Sequence, residues 1–222
     1  MKSRIFENIV EREAIETRIK DFLNSAEDVL STRTAASPRA AGDAIQELLS
    51  ANFNSLLGPE NCAEYSESFA RRAMADLAFT DPSGRYYVVD VKTHRLSTKF
   101  NMPNLTSVER LARFYEEEKN YFVILMVSYD VEETKMRVRS VHFIPVEFLD
   151  WECLTIGALG WGQLQIANSN VITINDTSTR RKWMLTMCDE LLEFYPKEIG
   201  KIGERIIYFE RMKERWLGRP DE

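Results

Sequence analysis

Three residues of this chain could do hydrolytic chemistry together: Asp76, Asp90 and Lys92. Asp90 and Lys92 stand two apart in the β-prone run YYVVDVKT, residues 86–93, so their side chains leave the same face of a strand. The run MADLAFT, residues 74–80, precedes it across the turn DPSG at 81–84, and the two read as an antiparallel hairpin. A five-residue loop, 81–85, pairs position 76 with 90 and gathers all three side chains. A four-residue loop pairs 76 with 89 and turns Asp76 to the other face, so the cluster needs the longer loop or a bulge. Two acids and an ammonium on a valine-rich strand are costly to desolvate without a task. A divalent cation relieves that cost, and two carboxylates, a phosphate and waters suit the oxygen shell of magnesium. The lysine can then orient or deprotonate a water and stabilise charge on a phosphoryl group. The plainer arrangement, with Asp76 in solvent and Asp90 simply paired with Lys92, fits the same spacing.

The elements that must position these residues can be read from periodicity. From Arg4 to about Leu30 apolar residues return to one helical face, which predicts a long opening helix that packs on the core or on a second subunit. Residues 31–42, broken by Pro38 and Gly42, read as a flexible loop carrying Arg33 and Arg39. A helix follows from Asp43 to Gly58, with Glu47 beside its apolar stripe, and EYSESFARR adds a helical turn or loop. Helix is expected over 105–119, strands over 121–128 and 135–146, and a less regular strand region over 163–175. Two C-terminal helices, interrupted at Pro196, complete the chain. With no internal repeat and no linker, the expected fold is α/β: one domain with a mixed β-sheet flanked by helices.

Composition narrows the function classes. The 222 residues, 44% hydrophobic and 29% charged, suffice for a core without staples, and no apolar run reaches the length of a membrane span. The charged N-terminal segment does not read as a signal peptide, so a cytoplasmic location without membrane association is expected. Cys62, Cys153 and Cys188 are scattered and odd in number, which predicts reduced, mostly buried thiols and neither a disulfide framework nor structural zinc. Only His94 and His142 are present, leaving catalysis to carboxylates and lysine. The net charge of −6 argues against non-specific coating of nucleic acid, yet a locally basic cleft can still hold phosphates.

Asp76, then Asp90-Val91-Lys92 fourteen residues on, resembles the PD-(D/E)xK nuclease motif, with Ala75 in the place of the proline. Glu47 stands where many of these nucleases carry an additional acid. The segment DVKTHRLSTKFNMPNLTSVERLA is similar to the region around the catalytic lysine of HincII-like type II restriction endonucleases, including Thr93 and the Pro103-Asn104 pair. AAGDAIQEL at 40–48, GWGQLQI at 160–166 and STRRKW at 178–183 look like pieces of the same enzymes in the same order.

The resemblance implies a restriction-endonuclease-like core over 35–150, an N-terminal helix over 1–34 available for dimerisation, and a DNA-recognition segment with C-terminal helices over 151–222. It implies that Asp76 and Asp90 bind Mg2+, that Lys92 positions the attacking water with Glu47 as an accessory acid, and that Thr93 supports the same face. Asn101 and Asn104 would approach DNA in a loop where Asn101, Phe100 or Met102 could enter between base pairs. Gln163, Gln165, Asn168 and Asn170, in the segment from Gly160 to Asn170, have amides suited to reading base edges. Arg39, Arg33, Lys99 and Arg180-Arg181-Lys182 are candidates for phosphate contacts. The expected activity is that of a homodimeric type II site-specific deoxyribonuclease of a restriction-modification system. It would cut double-stranded DNA at a short palindrome to leave 5′-phosphate and 3′-hydroxyl ends, with blunt cutting as in the relatives it resembles. A repair or junction-resolving nuclease and a non-catalytic acidic interaction domain are the alternatives.

Overall fold

In the computed structural model the described residues are 3–26, 29–66, 75–158 and 161–220. Their centre is a mixed five-stranded sheet of order β1-β2-β3-β5-β6, built from β1 (Glu64–Tyr65), β2 (Leu77–Thr80), β3 (Tyr86–Arg95), β5 (Asn120–Glu132) and β6 (Lys135–Pro145). Strands β3 and β5 run parallel from Tyr86↔Asn120 to Arg95↔Tyr129, and all other neighbours are antiparallel. The apolar runs of β3 and β5 are explained by cover on both faces. A smaller antiparallel sheet of order β4-β8-β7 joins β4 (Asn104–Ser107), β8 (Gln163–Ile166) and β7 (Leu154–Gly157).

The helices are α1 (Arg4–Glu7), α2 (Ile9–Ser25), α3 (Thr32–Ala35), α4 (Pro38–Leu57), α5 (Val108–Phe114) and α6 (Arg180–Leu217). Ile15, Ile19 and Leu23 of α2 and Ile45, Leu49 and Phe53 of α4 are buried with Val89, Val91 and Leu125 on one face of the large sheet. Ala78, Val88, Ile124 and Met126 face the other way, into a second core with Leu164 and Ile166 of the small sheet and Trp183 and Met187 of α6. The apolar stripe of α2 is thus spent inside its own chain. Among the described residues no helix is long and apolar enough to cross a membrane.

Several expected boundaries move. The opening helix breaks at Asn8, whose side chain accepts from Val10 N and caps α2. The expected loop over 31–42 is largely helical: Ser37 accepts from Ala40 N, Pro38 occupies the first turn where its missing N–H costs nothing, and α4 begins five residues before Asp43. The helix expected over 105–119 shortens to α5 because residues 105–107 belong to β4, where Thr106 and Ser107 pair with Leu164 and Gln163. Only 163–166 of the 163–175 region is strand, with one further bridge at Leu149↔Ile174. Helix α6 runs through Pro196 without interruption: one missing N–H removes a single rung, and the ring's fixed φ is compatible with helix. Met74, Gly160 and residues 67–72 of EYSESFARR lie outside the described residues. Cys62 and Cys153 are buried, whereas Cys188 is exposed on α6.

Candidate functional site

The hairpin loop decides where the acids go. Asp81 Oδ1 accepts from Ser83 N, Ser83 Oγ and Arg85 N, its Oδ2 accepts from Tyr87 Oη at 2.9 Å, and Gly84 takes φ 79°. Burial pushes the Asp81 carboxyl up, but the bonds from Ser83, Arg85 and Tyr87 outweigh it and leave its pKa below the ordinary value. The result is a five-residue connection with Leu77↔Val89 and Thr80↔Tyr86 in register. Asp76 precedes Leu77, and its N–H donates to Val89 O at 3.0 Å, so two consecutive residues crowd against one partner as in a β-bulge. The Asp76 carboxylate extends the ladder in place of backbone, its Oδ2 accepting from Val91 N at 2.8 Å.

Asp90 is 5% exposed, Lys92 Nζ donates to its Oδ1 at 2.8 Å, and its Oδ2 has no hydrogen-bond partner. Burial pushes the Asp90 pKa up to about 7, the Lys92 ammonium opposes the rise, and the neighbouring Asp76 carboxylate adds to it. Asp76, Asp90 and Lys92 therefore share one site at the edge of β2 and β3. A buried carboxylate oxygen without a donor beside a second carboxylate is the electrostatic signature of a place for a cation. Two carboxylates leave most of an octahedral shell to waters and phosphate, and that donor set fits magnesium. Among the described residues no group of three or more His, Cys, Asp or Glu could hold a metal on its own.

Of the two neighbours on α4, Gln46 rather than Glu47 reaches the cluster. Glu47 is exposed, and Gln46, one position earlier and about 100° around the helix, donates from Nε2 to Asp76 Oδ1 at 2.7 Å. Thr93 does not support the Lys92 face; strand alternation turns its hydroxyl against α4, where a Cβ on Gly42 would meet Thr93 Oγ1 at 2.5 Å. That close approach explains the glycine. His94, two residues beyond Lys92, is buried with Nδ1 unpartnered and Nε2 bonded to Asn170 Oδ1 at 3.0 Å. Both histidines line a cavity of about 250 Å³ that opens beside Lys92, with Met126, Ser128 and Asn170 in its wall. Burial lowers the His142 pKa, helped by the Arg12 cation.

The amides expected to read bases are mostly engaged within the chain. Asn170 Nδ2 donates to the carbonyls of Thr98 and Lys99, Asn168 Oδ1 accepts from Asn170 N, and Gln165 Nε2 donates to Asn104 Oδ1. These bonds hold the 96–103 loop against the turn after β8, as do those from Ser169 N and Oγ to the Asn101 carbonyl. Gln163 is half-buried in the same sheet, and Phe100 and Met102 project from the loop at 59% and 41% exposure. Arg33, Arg39, Lys99, Arg181 and Lys182 are exposed. Arg180 is engaged within the chain: it bonds Glu147 Oε1 at 2.9 Å and lies 4.2 and 4.4 Å from the rings of Tyr115 and Tyr121.

Gln46 and His94 are the two residues whose place beside the cluster was not foreseen. His94 could have been found from the strand period, since Asp90, Lys92 and His94 alternate onto one face. No family model matches this sequence, and no curated protein is significantly similar to it.

Proposed function

We propose that the chain is a magnesium-dependent endonuclease with a PD-(D/E)xK-type core, acting as a homodimer on double-stranded DNA at a short palindromic sequence, as type II restriction enzymes do. The observation that carries this reading is the convergence of Asp76, Asp90 and Lys92 with a buried, unpartnered Asp90 oxygen. A purely structural Asp90–Lys92 pair has no use for the second acid beside it or for the open oxygen.

Asp90 Oδ2 and the Asp76 carboxylate would hold the ion. Magnesium supplies positive charge to the phosphate oxygens and to the attacking water. Asp90, with a pKa raised to about 7, would have to give up its proton to hold such an ion, so occupancy of the site would rise with pH through neutrality. Lys92, tethered to Asp90 Oδ1, places its ammonium at the mouth of the site, where it orients the water and balances charge building on the phosphoryl group. The water oxygen gives up a proton to solvent as it bonds to phosphorus, the P–O3′ bond breaks, and the departing 3′-oxygen takes a proton from solvent. The products are 5′-phosphate and 3′-hydroxyl ends. Gln46 keeps the Asp76 carboxylate aimed, and exposed Phe100 and Met102 give the adjoining loop an apolar edge for the base stack.

The test is digestion of a long linear duplex of known sequence with and without magnesium, beside Lys92→Ala. Discrete, magnesium-dependent fragments absent from the variant are expected. Cleavage restricted to branched or mismatched DNA would assign the core to repair instead, and no cleavage of any DNA with any divalent metal would reject the nuclease reading.

A further inference from the structure

Among the described residues, helix α6 is held to the body only over its first turns. Trp183 and Met187 are buried, and Tyr195 donates from its hydroxyl to Trp161 O at 2.7 Å. Beyond Pro196 nearly every residue to Leu217 is exposed. Gly200 and Gly203 weaken that stretch as an isolated helix, and a Cβ built on either glycine meets nothing within 4 Å.

Its exposed side is patterned. Leu192, Ile199 and Ile206 recur every seven residues, and Ile202, Phe209 and Trp216 recur every seven, offset by three, which is the a/d spacing of a coiled coil. Ile199, Phe209 and Trp216 are 69%, 66% and 59% exposed. The seam continues back onto the packed half at Leu185 and Cys188, both exposed. Ile207 and Tyr208 lie off it. Such a stripe, on a helix end left exposed among the described residues, marks an interface.

We propose that α6 pairs with α6 of a second copy of this chain in an antiparallel, two-fold seam. The seam is self-complementary in that direction: Ile199 meets the second copy's Ile202, Leu192 meets its Phe209, and Leu185 meets its Trp216. The free half of each helix thereby covers the apolar residues that the packed half of the other leaves open. Charge selects the same direction. The antiparallel pairing sets Glu198 beside the second copy's Arg205, twice by symmetry, and brings Lys213 to the second copy's Cys188 and Asp189, between two acids, Asp189 and Glu210. A parallel pairing would place the two Lys213 ammonium groups against each other in the seam. The inference gives the homodimer of the proposed function an interface, but it rests on α6 alone and its readouts involve no cleavage.

The experiment is sedimentation equilibrium of the full chain over a micromolar concentration series, beside the double variant Ile199→Glu/Ile202→Glu, with circular dichroism melting as a check on the body. The wild type is expected at twice the 25.8 kDa chain mass. The double variant, which buries four carboxylates in the apolar seam, two from each copy, is expected to dissociate roughly 100-fold more readily with the body's melting unchanged. A monomeric wild type, or a double variant that stays dimeric, overturns the proposal. Direction is read by mild oxidation of Lys213→Cys: an interchain disulfide that disappears when Cys188→Ser is added supports the antiparallel seam. A crosslink that survives Cys188→Ser, or a wild-type Cys188–Cys188 crosslink, overturns it.

Discussion

Gln46 Nε2 donates to Asp76 Oδ1 at 2.7 Å, across the gap between helix α4 and the edge of the sheet. The bond fixes one carboxylate oxygen while Val91 N fixes the other, so Asp76 is aimed before any ligand arrives. Supporting bonds of this kind around metal ligands are typically worth 10- to 100-fold in affinity or activity. If Asp76 holds magnesium as proposed, Gln46→Ala is expected to raise the magnesium concentration for half-maximal cleavage by roughly tenfold. Glu47→Ala, on the exposed side of the same turn, is expected to leave it unchanged. Rates titrated with magnesium for both variants check the contrast, and equal effects would remove Gln46 from the site.

The raised pKa of Asp90 makes the metal-free fold pH-dependent in an unusual direction. The folded state binds the Asp90 proton more tightly than the unfolded chain does, so between the ordinary carboxylate value of 3.8 and about 7 each rise in pH destabilises the fold through this group. Its contribution is fully present below that window and is lost as pH climbs through 7. Asp90→Asn carries no charge to desolvate and is expected to unfold at higher urea than wild type at pH 8 without metal, by on the order of 2 kcal/mol, and to converge with it near pH 4. It should be inactive at every pH. Urea midpoints at the two pH values decide it, and a destabilised Asp90→Asn at pH 8 would count against burial as the dominant cause.

The turn carries its own consequence for the site. Asp81 accepts four hydrogen bonds and sets the loop length that brings Asp76 to Asp90. Asp81→Ala is expected to cost about 2–3 kcal/mol and to lower cleavage further than that loss alone predicts, because the register at Asp76 loosens. Its pH behaviour is opposite to that of Asp90: with a folded pKa below the ordinary value, Asp81 contributes above the unfolded value and loses that contribution as pH falls through the folded one. Urea unfolding and cleavage measured on the same preparation test both points.

What the sequence determined by itself was the local chemistry. Alternation along YYVVDVKT is enough to put Asp90 and Lys92 on one face, and the turn residues Asp81 and Gly84 are enough to mark the hairpin. The apolar runs of β3, β5 and β6 announced a mixed sheet between layers, because period and composition are properties of neighbouring residues. The choice between a four- and a five-residue loop was open until side-chain bonds to Asp81 closed it. The choice between Gln46 and Glu47 turns on the rotation of α4 about its own axis, which is set by Ile45, Leu49 and Phe53 packing on a distant strand. The turning of Thr93 toward Gly42 and the capture of Asn170 by His94 likewise depend on partners far along the chain. Local preferences differ by a fraction of the free energy that such packing and buried hydrogen bonds contribute, so tertiary structure decided wherever the two disagreed.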